Sequence, residues 1–179
     1  MKIAISILAI LFSIALLVLV VGLILPRDYR VERELTINAT PEQLFPYIND
    51  PSQRKVWSPF QGPQTETSFE GPTEGLGARM NWNSPGSSGH IIIQKSDPPS
   101  SVTYDTHFDN GYPTSTSEFR FEPTENGKAT RVVWDFWGKV PVHPLKRYYV
   151  LRIDESTGGK HLKGLENLKA VVEGTPPQS

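Results

Sequence analysis

The sequence predicts an α+β domain, a curved antiparallel sheet of about seven strands wrapped on one long C-terminal helix, mounted behind a single transmembrane helix. Three observations predict it. Ile3 to Leu25 is an uncharged apolar run; short segments of strand period separated by turn residues fill the middle of the chain; and the last stretch carries apolar residues at helical spacing.

The apolar run is interrupted only by Ser6, Ser13 and Gly22 within Ile, Leu, Val, Ala and Phe. At 1.5 Å per residue, roughly 23 helical residues reach about 34 Å, enough for a hydrocarbon core of about 30 Å. Pro26 ends the helix, and Arg27, Asp28, Tyr29 and Arg30 form an interfacial cluster. A cleaved signal peptide calls for a shorter core and small residues before the cut, and Val20 to Leu25 offers no small-x-small pair. Residues 1–26 are therefore expected to stay as an anchor that contacts the bilayer through residues 3–25. Lys2 lies on one side, and Arg27, Arg30 and Arg33 on the other. The two-residue lead before the run is that of a signal anchor, which places the domain on the non-cytoplasmic side of the membrane as a single-pass protein.

Residues 27–174 make one ordinary domain, and 175–179, with Pro176 and Pro177, are expected to be a flexible tail. Eighteen Lys and Arg, one of them Lys2, stand against 19 Asp and Glu, and they are scattered. That distribution excludes the clustered basic face of a nucleic-acid partner and a polybasic lipid-headgroup patch. The chain has no Cys, which rules out disulfides and thiolate metal sites.

Arg30 to Ile37 alternates as a strand, with Val31, Arg33, Leu35 and Ile37 on one face. Thr40-Pro41-Glu42-Gln43 starts a helix, with Thr40 at the N-cap, Pro41 in the first turn and Gln43 closing a capping box. Pro46 is expected to kink or shorten that helix. Asp50-Pro51-Ser52-Gln53 starts a second short helix reaching about Val56. Strands follow over about 65–70, 77–83, 89–96, 101–108, 115–122 and 129–139. Breakers separate them at 84–89, 97–100 and 110–113, and Asn126-Gly127 reads as a two-residue hairpin turn. His143 to Ile153 is a short helix or lid. Gly158 and Gly159 mark the start of the final helix, whose stripe is Leu162, Leu165, Leu168 and Val172.

This element order is the helix-grip order, and the local sequence resembles one group that has it. Val31 to Glu42, Asn49-Asp50-Pro51, Trp57-Ser58-Pro59-Phe60 and Gly164 to Lys169 resemble the START-like (SRPBCC) superfamily, in its polyketide cyclase/dehydrase branch. The resemblance covers about residues 30–173, and an N-terminal span is a familiar arrangement in that branch. It implies a fold with an apolar space between sheet and helix, and it leaves activity open, because the superfamily hosts carriers, receptors, cyclases and co-chaperones.

The function expected is binding of an apolar small molecule, lipid or isoprenoid-like, in that space. Its walls would be Trp57, Phe60, Met80, Trp82, Tyr104, Phe119, Phe121, Trp134 and Phe136 from the sheet side, and His161, Leu162, Leu165 and Leu168 from the helix. The same aromatics also suit an ordinary packed core. A cyclase or dehydratase remains an alternative and would need an acid–base group inside, with His161, Tyr104 and Asp135 as candidates. A protein-interaction module is a third reading, marked by an exposed apolar patch on the outer sheet face or the lid. If Trp134 and Phe136 face inward, alternation puts Asp135 outside; Asp105, His107 and Asp109 share a strand face that reads as a solvated exterior. No residue set suggests a cofactor or a resident metal.

Overall fold

The computed structural model of the chain describes residues 2–124 and 126–174. The expected tail, 175–179, lies outside the described residues. Helix α1 runs Lys2–Ile24 and is long and apolar enough to cross a membrane, a property that an N-terminal signal sequence shares. Then come β1 (Asp28–Ile37), α2 (Pro41–Asn49), a 3-10 turn (Pro51–Gln53), α3 (Arg54–Trp57), β2 (Glu66–Glu70), β3 (Arg79–Ser84), β4 (Ser87–Asp97), β5 (Ser101–Phe108), β6 (Ser115–Pro123) and β7 (Thr130–Lys139). Helix α4 (Pro144–Arg147) and a 3-10 turn (Tyr148–Leu151) lead into α5 (Ile153–Glu173).

The seven strands form one open antiparallel sheet in the order β1-β7-β6-β5-β4-β3-β2. The meander β2 to β7 follows the chain, and β1 closes on β7 from Asp28↔Lys139 to Ile37↔Thr130. A register shift between Ile93 and Lys95 bends β4, as a bulge does. Helix α5 lies along the inner face with Leu165 and Leu168 fully buried. The α+β helix-grip architecture is thus present, with α2 and α3 covering the inner face beside α5.

Several local expectations hold and others are corrected. The backbone N–H of Thr40 donates to Gln43 Oε1 at 2.9 Å, and Asp50 accepts from Ser52 N at 2.8 Å, so both short helices begin at their caps. Pro46 does not shorten α2, which continues to Asn49. Pro46 and Glu42 are on the solvent side, where water can satisfy the carbonyl that Pro46 leaves without a donor. Asn126-Gly127 is not a two-residue hairpin. The β6–β7 connection is longer; among its described residues only Gly127 has positive φ (63°), and Thr124 N–H donates across the loop to Ala129 O at 2.9 Å. The tight two-residue turn is Pro85-Gly86, with Gly86 at φ 82°.

The largest correction concerns α5. Gly158 and Gly159 lie inside it, five residues or more past its start at Ile153. A Cβ on Gly158 would overlap the Arg33 guanidinium. Arg33 reaches over from β1 to pair with Asp154 Oδ1 at 2.9 Å, and the missing side chain makes room for it. The buried stripe therefore runs His161, Gly164, Leu165, Leu168, and Leu162, one residue round the helix, is exposed.

Gly164 is a second close approach. A Cβ there would meet Trp134 Cζ3 at 2.9 Å and Pro59 Cδ at 3.1 Å, both on rigid groups. Gly164→Ala gains up to about 1 kcal/mol of helix propensity but incurs overpacking strain of about 1–3 kcal/mol. A net loss of stability is expected in urea denaturation; a stabilised variant would show that α5 sits on the sheet more loosely than these contacts imply.

Candidate functional site

The inner face of the sheet and the underside of α5 converge on a cluster of rings. Trp57 is carried in at the end of α3 and anchored by its Nε1–H, which donates to Tyr47 O at 2.9 Å. It meets Phe119 and Trp134 edge-on, with centroids 5.7 and 5.6 Å away. Phe119 and Trp134, opposite each other across β6 and β7, are 4.6 Å apart. His161 stacks on Trp134 at 4.1 Å and meets Phe136 at 5.1 Å and Phe60 at 5.8 Å. Met80, Tyr104, Phe121, Leu165 and Leu168 are also buried in this interior. Phe136 and Trp82 are half-buried, and Phe60, at 44 % exposure, stands at the rim. Trp82 covers Gly89 and meets Phe108 at 5.6 Å, near the β3–β4 turn.

The apolar wall contains polar atoms that lack partners. Trp134 Nε1, His161 Nδ1 and Arg54 Nε are buried without a hydrogen bond. His161 is 2 % exposed, in the third turn of α5, not in a solvated first turn as a helix start at Gly158 would imply. Burial, then the charges of Arg33 and Arg54, push its pKa down to about 3, so the imidazole is neutral at physiological pH. Sequence reasoning missed Arg54. The signal was its place three residues before Trp57, on the same side of a short helix.

Other candidates face away. Asp135 does lie on the outer face, as alternation predicts, yet it is only 1 % exposed. Arg30 closes over it with Nε at 2.9 Å to Oδ1 and with Nη2 on Oδ2, and Arg120 Nη1 is 3.6 Å away. Glu32, Glu118, Glu122 and Arg131 extend this charged outer surface. His107 stacks on His90 at 4.6 Å and bonds Thr114, and Asp105 accepts from Thr116 at 2.7 Å.

Helix α1, the segment after β7 and the start of α5 meet at one end of the sheet. Val140 N–H donates to Arg27 O at 2.8 Å just beyond the β1–β7 ladder, and Arg27 Nε donates back to Val140 O at 3.2 Å. Gly22, the one buried residue of α1, faces Pro144, whose carbonyl oxygen would be 2.7 Å from a Cβ there. Arg147 donates to Leu23 O at 2.6 Å, and Tyr148 OH donates to Val18 O at 2.8 Å. Val142, Leu145, Tyr149 and Leu151 of this segment are exposed. At the opposite end, a cleft of about 310 Å³ opens between Thr40–Glu42 and Pro99–Ser100.

The geometry agrees with comparison to known proteins. The family model described as polyketide cyclase / dehydrase and lipid transport matches residues 28–173. The chain belongs to this family. The match begins with the first residue of β1 and ends with the last of α5, so the family domain is the whole helix grip without α1. Solved structures share the fold at low identity. A norcoclaurine synthase from Thalictrum flavum, in complex with dopamine and hydroxybenzaldehyde, is 12% identical with a TM-score of 0.63, covering 88% of this chain and 93% of that one. A Staphylococcus aureus protein of unknown function has the same identity and TM-score over 82% and 96%. A protein from Mesorhizobium loti is 18% identical, with a TM-score of 0.58 over 82% and 98%. No curated protein matches the chain. The family supplies a fold suited to a hydrophobic ligand.

Proposed function

We propose that this chain is a membrane-anchored binding domain for an apolar small molecule, lipid or isoprenoid-like, held between the inner sheet face and α5. The observation that carries the reading is the set of buried polar atoms left without partners, Trp134 Nε1 and His161 Nδ1 among them, inside an otherwise apolar wall. A folded core seldom tolerates such groups, whereas a ligand site is an apolar wall with a few polar groups. Trp57, Met80, Tyr104, Phe119, Phe121, Trp134, Leu165 and Leu168 form the deep wall, with Phe136, Trp82 and His161 toward the open end.

Helix α1 is the span in this reading, with the domain on the non-cytoplasmic side. The exposed apolar residues of the lid stand beside the last turns of α1 and suit the bilayer surface better than a protein partner. Among the described residues the outer sheet face is lined by ion pairs, Arg120 with Asp135 and Arg131 with Glu122, which suits a co-chaperone role poorly. The acid–base candidates of an enzyme also fit poorly. With a pKa of about 3, His161 carries no imidazolium to act as an acid near pH 7 and is a weak base, and Asp135 is held outside by Arg30 and Arg120.

Native mass spectrometry of the chain, extracted from membranes in mild detergent, tests the proposal. A mass including Ile3 to Leu25 and one small apolar molecule bound per chain is expected. A soluble protein beginning near Pro26 would overturn the anchor; a chain that takes up nothing from a lipid extract would overturn the binding role.

A further inference from the structure

Arg54 is the one buried Lys or Arg among the described residues, at 7 % exposure. Its guanidinium carbon lies 5.1 Å from the Trp57 ring centroid and 4.9 Å from that of Tyr104. Among the described residues no carboxylate pairs with it and no hydrogen bond reaches it, and its Nε is a buried donor without an acceptor. The buried carboxylate of the domain, Asp135, is on the other face of the sheet and already holds Arg30 and Arg120.

A cation taken largely out of water is costly, and stacking on two rings offsets only part of that cost. The neighbouring groups add donors and no counter-charge. Tyr104 stands opposite Ser117 across β5 and β6, both buried on the inner face, and neither hydroxyl is bonded among the described residues. A planar guanidinium with parallel N–H groups matches a carboxylate two bonds at a time.

We infer that the small molecule carries an acidic head, a carboxylate, which pairs with Arg54 between Trp57 and Tyr104 while its apolar part lies along the aromatic wall. The inference rests on the ligand-binding reading above and adds the charge of the ligand to it. The ligand class is then an amphipathic acid, a fatty acid or an acidic isoprenoid, as opposed to a neutral sterol or alcohol. Other anions offer acceptor oxygens too, so a lipid phosphate is the competing source.

The test titrates the full-length chain in detergent with oleic acid, oleyl alcohol and oleoyl lysophosphatidic acid, reading one-to-one adducts by native mass spectrometry. Oleic acid is expected to bind at least about tenfold more tightly than the alcohol, in the range of a hydrogen bond to a charged group. Arg54→Met should abolish that preference while alcohol binding is kept, and Arg54→Lys should retain part of it. If Arg54→Met does not fold, the wild-type preference still decides. Equal binding of acid and alcohol would overturn this inference and leave the binding role standing. A preference for the phosphate would overturn the carboxylate assignment, and binding of none of the three would overturn both readings.

Discussion

Trp57→Ala is expected to destabilise the domain by about 3–5 kcal/mol, as is Trp134→Ala. Each truncation empties the middle of the ring cluster, where Trp57, Phe119 and Trp134 lie within 4.6–5.7 Å of one another. Trp57→Ala also removes the donor to Tyr47 O and loosens the short helix that carries Arg54. Trp82→Ala should cost only about 1–2 kcal/mol, because that ring is half-buried and covers Gly89 at the sheet's margin. Urea denaturation of the three variants measures the order. A Trp82 variant as unstable as the other two would mean that the β3–β4 turn belongs to the central core.

His161 should make the fold acid-sensitive. Its pKa is about 3 in the native state and about 6.5 in the unfolded chain. Below pH 6.5 the unfolded chain binds a proton that the native state refuses. The stability this group contributes is therefore complete above pH 6.5 and falls as pH drops toward 3, by up to about 1.4 kcal/mol per unit. His161→Leu keeps the apolar stripe and removes the titration. Between pH 7 and pH 4 the wild type should lose about 3 kcal/mol relative to this variant. Parallel stability profiles would show that the imidazole is hydrated in solution.

What could be read from the sequence follows the range of the forces involved. Strand alternation, the cap at Thr40 and the Asp50 start are set by neighbours in sequence, and they appear where expected. The glycine pair at 158–159 looks like a boundary when only local conformational freedom is considered. Its cause is Arg33, more than a hundred residues earlier, whose guanidinium occupies the space of the absent side chain. His161 lies on the expected stripe with Leu165 and Leu168, but its depth depends on where that helix begins. Arg54 was invisible because a basic residue in a four-residue helix ordinarily faces water. Of the proposed wall, strand period aligns Phe119 with Phe121 and Trp134 with Phe136, whereas Trp57 comes in from α3 and the unpartnered polar atoms are a property of packing in three dimensions.

The short join between α1 and β1 has a mechanical consequence. Only residues 25–27 separate Ile24 from Asp28, Arg27 is already bonded to Val140, and Arg147 grips the carbonyls of Leu23 and Leu25. Such a mount is a bracket, not a leash. In a bilayer the domain would turn about the membrane normal but would not nod or swing away from the surface. On the proposed reading, with α1 as the span, every copy would present the α4 end of the domain to the membrane, and a ligand would pass between lipid and domain without a passage through open water.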